Sequence, residues 1–464
     1  MGNPVSYQPV YEAQQAFFAS GQTRPIEFRK AMLRKLEQLI RTNESRIEEA
    51  VYKDLRKHPQ EVYMTEIGAI YGEIRLMLKE MRGWMKPRKV SHPLYLFPGS
   101  SWIYPEPLGN VLVISPWNYP FLLTFRIVVN ALAAGNTVLI KPSEIAPHSA
   151  ALIEELVNGA FPQGYLHVVN GDGAEVVGSL LNQFHWDHVF FTGSTGVGSR
   201  IMEMAAKHLS PVSLELGGKS PCIVAADANL KVAAQRILWG KLSCAGQTCV
   251  AADYLIVEAS VKDRLIGALK AELELLYGKD PKQSDSLGRI VSQNRFDTLS
   301  AYLKEGRILH GGETDVADLY IAPTIMDEIV PGAKVMQDEI FGPILPVFTY
   351  TRKKEILERI AQHPYPLALY VFSANTTFQD YIIGQVRFGG GAVNETVLQL
   401  GNSELPFGGV SYSGHGRYLG KHGFDTFTHY KSIVKRAAWF EPSFRHAPYT
   451  SGKTKLWRLL LGRK

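Results

Sequence analysis

From Gly109 onward the chain repeats one pattern: a run of about four apolar residues, a glycine or proline break, then a helical stretch. Val111-Leu112-Val113-Ile114 closes on Ser115-Pro116 and precedes a helical stretch over about 120–134. Thr137-Val138-Leu139-Ile140 precedes one over 147–158, Leu166-His167-Val168-Val169 a short one near 175–181, and His188-Val189-Phe190-Phe191 one over 198–208. A strand that is apolar on both faces has no side to give to water. Such strands alternating with helices predict a parallel sheet covered on both faces. The alternation resumes with Cys222-Ile223-Val224, a helix over 228–242, a strand over 254–257, a helix over 261–277 and a strand over 367–372, which predicts a second α/β domain. The first hundred residues read as helical: Met32, Leu33, Leu36, Leu39 and Ile40 recur at three- and four-residue steps, and two further helices are expected over 44–57 and 62–84.

Composition narrows the function classes. A chain of 464 residues with 45% apolar and 20% charged residues is ordinary globular material, long enough for two or three domains. Three cysteines, Cys222, Cys244 and Cys249, make no disulfide framework and no metal-ligand spacing, so a reducing compartment and a cytoplasmic protein are expected. No apolar run has signal-peptide or membrane-spanning length. Met1-Gly2-Asn3-Pro4-Val5-Ser6 fits only the short, loose myristoylation pattern. The net charge of +6 comes wholly from the end of the chain, where Arg445, Lys453, Lys455, Arg458, Arg463 and Lys464 stand with no acid from Pro442 onward. The rest is neutral, which excludes a nucleic-acid-binding domain with a basic patch on its fold. Residues 437–464 read as a mobile tail, and their mixture of apolar and basic residues also suits weak peripheral contact with a membrane.

Several short segments carry chemistry, each with a plainer alternative. Gly193-Ser194-Thr195-Gly196-Val197-Gly198 joins a strand to a helix, an arrangement that offers N–H groups to phosphate, but Thr195 occupies the second glycine of the dinucleotide fingerprint, and a tight turn without ligand fits as well. Lys141-Pro142-Ser143-Glu144 ends a strand and could hold ribose hydroxyls, or could be a surface ion pair. Cys249, in Gly246-Gln247-Thr248-Cys249, has the small neighbours of an accessible nucleophile, although a lone intracellular cysteine is more often structural, as Cys222 and Cys244 are read to be. Glu215, in Leu214-Glu215-Leu216-Gly217-Gly218-Lys219, is either a buried general base or an edge-strand carboxylate in water. Asn118, in Trp117-Asn118-Tyr119-Pro120, is either an oxyanion donor or a helix cap. Glu339-Ile340-Phe341-Gly342-Pro343 and Leu405-Pro406-Phe407-Gly408-Gly409 alone read as packing loops.

Taken together and in this order over residues 10–435, these seven motifs resemble the aldehyde dehydrogenase superfamily, and most of all its class 3 branch of fatty and aromatic aldehyde enzymes. The resemblance implies two Rossmann-like parallel-sheet domains and a small bridging arm for oligomerisation: a nucleotide-binding domain over 1–85 and 108–216, a catalytic domain over 217–395, an arm over 86–107 and 396–436, and the basic tail over 437–464. It implies a homodimer. It makes Cys249 the nucleophile, Glu215 the general base, and Asn118 with the Cys249 backbone N–H the oxyanion hole. It gives Lys141, Ser143 and Glu144 to the adenosine ribose, Gly193, Ser194 and Gly198 to the pyrophosphate turn, Glu339 to the nicotinamide ribose, Phe341 to the nicotinamide, and Tyr119 and Phe407 to the substrate.

The implied reaction is oxidation of an aliphatic (including medium- or long-chain) or aromatic aldehyde to the acid with NAD or NADP. A coenzyme A-acylating or reductive relative and a cysteine esterase are the alternatives; Glu215 weighs against the first, and the nucleotide motifs would be idle in the second. His415 and Arg417 depart from the class 3 pattern at the tunnel rim or subunit contact, and the tail lacks the long apolar anchor of membrane-bound relatives.

Overall fold

The strands predicted from continuous apolar runs assemble, in the computed structural model, into two separate mostly parallel sheets; the structure describes residues 6–462. The myristoylation-like opening, Met1 to Val5, and the basic residues Arg463 and Lys464 lie outside the described residues. The first sheet runs in the order Gly414–His415, Val212–Glu215, His188–Thr192, Asn110–Ile114, Thr137–Lys141, Leu166–Val168. Five strands are parallel, and the late two-residue strand Gly414–His415 adds to one edge in antiparallel register, with Gly414 opposite Glu215. The chain winds outward in both directions from Asn110–Ile114, so the switch point lies between that strand and His188–Thr192, where an open sheet leaves a crevice.

The second sheet runs Arg307–His310, Thr324–Asp327, Ile344–Tyr350, Tyr254–Glu258, Pro221–Val224, Ala368–Phe372, Gly390–Val393, parallel throughout except for the first strand. A third sheet is a separate antiparallel arm of Arg88–Val90, Gly99–Pro107 and Thr428–Arg436, with nine residue pairs between the last two strands.

Burial explains the pattern. Asn110–Ile114 and Thr137–Lys141 are buried at every position. The helix Leu122–Ala134 is buried from Leu123 to its end, as expected of a helix that is apolar on all sides. It stops at Gly135, whose φ of 98° is the left-handed cap that glycine adopts freely. The Arg29 guanidinium reaches the last carbonyls of that helix, donating to Ala133 at 3.0 Å and Ala134 at 2.7 Å.

The N-terminal helix Gln8–Ala19 falls in the stretch read as helical, but no period in the sequence marks its bounds. Its inner face carries Gln14, which donates to the Val138 carbonyl at 2.8 Å, so the apolar period is broken where the helix meets the sheet. The helix expected over 62–84 is preceded by a four-residue turn, Pro59–Val62, and a π-helical turn, Tyr63–Ile67, before the regular helix Gly68–Trp84. The tail, read as mobile, carries an ordered helix, Ser451–Leu460, because Trp457 packs back on Tyr95 of the arm (5.8 Å between centroids) and on Phe444 (5.3 Å). Among the described residues, no helix is long and apolar enough to cross a membrane.

Candidate active site

A cavity of about 630 Å3 opens between the two large sheets. The first sheet meets it with the carboxyl ends of its strands: Pro116–Asn118, Thr192–Gly196 and Glu215–Gly218 all follow strands. The second meets it with amino ends: Gly217–Lys219, Cys249, Glu339 and Phe341, and His363–Leu367 all precede strands.

Cys249 lies half-buried on the cavity wall, at the end of a loop whose composition is now explicable. Cys244 and Ala245 adopt left-handed backbone (φ 53° and 52°) and Gly246 continues it at 79°. At Gly246 a Cβ would come within 2.3 Å of the Gly342 carbonyl, so only glycine fits. Gln247 is fully buried and every atom of its amide is used: Nε2 donates to the carbonyls of Cys244 and Arg289 (both 2.9 Å) and Oε1 accepts from Val291 N–H at 3.0 Å. Thr248 donates to the Ser243 carbonyl at 3.1 Å and pairs with the Tyr119 hydroxyl at 2.7 Å. The loop thus holds the thiol from behind. Burial pushes the Cys249 thiol pKa up, and the carboxylates of Glu339 and Glu215 push it further; its own N–H and that of Val250 work in the opposite direction.

Glu215 is buried and lines the same cavity from the first sheet, and neither carboxylate oxygen has a hydrogen-bond partner. Desolvation alone raises its pKa well above the carboxylate range. The raised pKa gives the carboxylate the stronger affinity for a proton that a base uses, and the burial rules out the edge-strand alternative in water. Gly408 passes close by: a Cβ there would lie 3.2 Å from Glu215 Oε1 and 2.3 Å from the Gly416 carbonyl.

Asn118 reaches the cavity from the turn after the central strand. One hydrogen of its amide is given to the Gln247 carbonyl at 3.0 Å, leaving the other to donate, and it does not cap the following helix. Tyr119 is not on the cavity wall. Its ring lies under the Lys57 ammonium at 3.7 Å and its hydroxyl holds Thr248, so it stands behind the Cys249 loop.

On the nucleotide side, Gly193, Ser194, Thr195 and Gly196 line the cavity, and Ser194 is the N-cap of the helix Thr195–Ala206, which begins three residues earlier than the pattern suggests. Free N–H groups and the positive end of this twelve-residue helix therefore face the cavity, as a pyrophosphate requires. Gly198 lies within the helix instead, where a Cβ would come within 2.6 Å of Leu216; its part is close helix–sheet packing. Lys141 and Glu144 sit one strand over, beyond this cavity's wall, joined at 2.8 Å, with Glu144 also accepting from Gly173 N–H at 3.1 Å. Partial burial works against the Glu144 carboxylate, but the Lys141 ammonium and backbone N–H groups outweigh it and hold its pKa below the usual range. Ser143 is turned to Ile145 N–H at 3.3 Å.

Glu339 lies against Gly217, a contact that any side chain at 217 would prevent. Burial and Asp253 raise its pKa well above the usual range, against the pull of Lys219, Arg295 and Lys241. Phe341 lies edge-on to Trp117 at 5.3 Å, and Phe407 edge-on to Tyr418 at 5.3 Å, giving the cavity aromatic walls. Tyr418, Tyr412 and Leu123 line it without having been singled out in the sequence. The departures His415 and Arg417 are not on the wall: His415 pairs with Leu214 at the sheet edge, and Arg417 is exposed. Cys222 and Cys244 are fully buried and off the cavity. The residues present suit a nicotinamide dinucleotide: a helix N-terminus for phosphate, carboxylates for ribose and an aromatic wall near the thiol.

A family model described as the aldehyde dehydrogenase family matches residues 7–433. A 4,4'-diaponeurosporen-aldehyde dehydrogenase from Staphylococcus aureus is 46% identical over 450 residues, covering 97% of both chains. An Arabidopsis thaliana aldehyde dehydrogenase family 3 member H1 is 42% identical over 449 residues, covering 96% of this chain and 92% of that one. Among solved structures, a substrate-bound state of Staphylococcus aureus AldH superposes with a TM-score of 0.96 at 44% identity, covering 99% of this chain and all of that one.

Proposed function

The chain belongs to the aldehyde dehydrogenase family and oxidises aldehydes to acids with NAD or NADP, and from that premise we propose that Cys249, Glu215 and Asn118 perform the reaction. The observation that carries this assignment is a thiol, an unpartnered buried carboxylate and an amide with a hydrogen left to donate, all lining one cavity. Having given its proton to solvent water, the Cys249 sulfur attacks the carbonyl carbon as the thiolate, forming the C–S bond while the C=O electron pair moves onto oxygen. The Asn118 amide and the Cys249 N–H donate to that oxyanion. When bound, NAD(P)+ supplies the hydride acceptor that brings the adduct to a Cys249 thioester. Glu215 then takes a proton from water, the resulting hydroxide attacks the thioester, the C–S bond breaks, and the acid departs. Gly193, Ser194, Lys141, Glu144 and Glu339 would hold the dinucleotide, with Phe341 beside its reactive ring and Phe407 beside the substrate.

The substrate we infer is an apolar aldehyde. The aromatic walls support this, as does the name of the Staphylococcus aureus relative, given for 4,4'-diaponeurosporen-aldehyde. We divide the chain into nucleotide-binding, catalytic and arm regions as the sequence reading does; the three sheets support it. We also infer a homodimer paired through the arm. Thr428–Arg436 is a nine-residue edge strand with exposed Tyr430, Ile433 and Val434, the kind of edge that a second copy would cover. Contact with an anionic membrane surface is supported by the tail helix, which leaves Leu459 and Leu461 in water among Lys453, Lys455 and Arg458.

The test follows NAD(P)H formation at 340 nm with aldehydes from short aliphatic to long-chain and aromatic, each with NAD+ and NADP+. Turnover without coenzyme A, lost in Cys249→Ala and reduced about 10²–10³-fold in Asn118→Ala, is expected. Full activity in Cys249→Ala refutes the assignment.

A further inference from the structure

Behind the cavity, lining none of it, lies a buried group of charges that the reaction does not use. Lys57 and Glu66 are both fully buried and joined at 2.8 Å. The Lys57 ammonium also donates to the Asn118 carbonyl at 3.1 Å and stands over the Tyr119 ring. The second Glu66 oxygen accepts the N–H groups of Phe121 (2.9 Å) and Leu122 (3.3 Å), which open the helix Leu122–Ala134. That helix has no side-chain cap of its own at Phe121, so Glu66 supplies the carboxylate its N-terminus lacks. One ion pair thus grips the Asn118 turn from both sides, by its carbonyl and by the N–H groups that follow.

The same group reaches the nucleophile loop. Glu61 accepts the Cys244 N–H at 2.6 Å, and the Cys244 thiol points to the Asn118 carbonyl at 3.4 Å. Left-handed backbone at non-glycine residues such as Cys244 and Ala245 is strained and persists only where the surroundings hold it. The π-helical turn Tyr63–Ile67 carries Glu66, and such turns re-aim a side chain relative to a regular helix. A buried ion pair adds little net stability over apolar residues of similar size, so stability alone does not account for this one.

We propose that Lys57 and Glu66 are positioning residues for the oxyanion site: they fix the turn that aims the Asn118 amide, and with Glu61 they lock that turn to the loop bearing Cys249. The proposal rests on the assignment of Asn118 as oxyanion donor. Displacing that amide by about 1 Å is enough to cost up to about 10²-fold in rate.

The test is a mutant cycle on the full-length enzyme. Single-turnover NAD(P)H formation at saturating cofactor is measured for wild type, Asn118→Ala, the neutralised pair Lys57→Met/Glu66→Gln, and the triple variant, with cofactor affinity measured by fluorescence titration. The neutralised pair is expected to slow single turnover tenfold or more with cofactor affinity unchanged. The triple variant is expected to be no slower than Asn118→Ala, because the amide to be aimed is already gone. Wild-type rate in the neutralised pair overturns the proposal, and so does a triple variant whose loss is the product of the other two. Wild-type rate in Asn118→Ala overturns the oxyanion assignment, and this proposal with it. If the paired variant does not fold, Glu66→Gln alone, which keeps an acceptor for Phe121 but removes the counter-charge of Lys57, enters the same cycle with the same expectations.

Discussion

Replacing Glu215 with glutamine should make the protein more stable and the enzyme slower, and the stability gain should depend on pH in a calculable way. Glu215 is buried with both oxygens unpartnered, and desolvation raises its folded pKa well above the ordinary value. In the unfolded chain it titrates near about 4.3. Below that pH the residue is protonated in both states, and a glutamine of the same shape changes little. Above it the unfolded chain releases the proton while the folded protein must either keep it or bury a charge. The folded state therefore loses about 1.4 kcal/mol per pH unit until the pH reaches the folded pKa. The neutral amide of the variant carries no such penalty. Between pH 5 and pH 7 the advantage of Glu215→Gln should grow by up to about 2.7 kcal/mol, read as a widening gap in urea midpoints between variant and wild type. In the same variant, mixing enzyme with aldehyde and NAD(P)+ should give a burst of NAD(P)H close to one per active site, followed by turnover slowed about 10²–10⁴-fold, because only the water step needs the base. A variant that is less stable than wild type, or whose advantage is the same at pH 5 and pH 7, would refute the picture of an unsolvated carboxylate. Unslowed turnover would refute its role as base.

Three further outcomes follow from particular contacts. Gln247→Leu strands the carbonyls of Cys244 and Arg289 and the N–H of Val291, at about 1–3 kcal/mol each, so a loss of about 3 kcal/mol or more is expected in chemical denaturation. The double change Ile433→Asp/Val434→Asp on the exposed edge strand should convert a dimer to monomers in light scattering; an unchanged mass would remove the arm as the subunit contact. Leu459→Glu/Leu461→Glu should weaken sedimentation with vesicles rich in anionic lipid, and added salt should weaken it in the wild type; equal binding by full-length protein and a form truncated before Thr450 would end the membrane reading.

What could be read from the sequence was what local pattern encodes. Strands such as Val111–Ile114 announce themselves because both faces are buried; the Cys249 loop stands out only through the order of seven motifs, and the demands that Gly246 and Gln247 satisfy show in the fold. What escaped depends on partners distant in the chain. Lys57 and Glu66 look like ordinary charges on helical segments until the fold brings Asn118 and Phe121 to them. Gln14 interrupts an apolar face because its partner is the Val138 carbonyl. Gly198 sits in a phosphate-binding pattern but answers to Leu216, and Tyr119, adjacent to Asn118, holds Thr248 with its hydroxyl. The tail reads as loose because the aromatic that anchors Trp457, Tyr95, lies in the arm.

The opposed presentation of the two sheets gives the cavity an electrical direction. On the first sheet the helix Thr195–Ala206 begins at the cavity; on the second, Leu230–Leu242 ends beside the Cys249 loop and Lys353–Ala361 ends just before His363–Leu367. Helix starts carry about half a positive charge and helix ends about half a negative one. The cavity is therefore polarised along its length, favouring anions at one end and cations at the other. An oxidised nicotinamide dinucleotide has the same asymmetry, with phosphates toward its middle and a cationic ring at one end. Reduction removes the ring's charge and with it one of the attractions at the thiol end, so the field that suits the oxidised cofactor on arrival holds the reduced one less tightly.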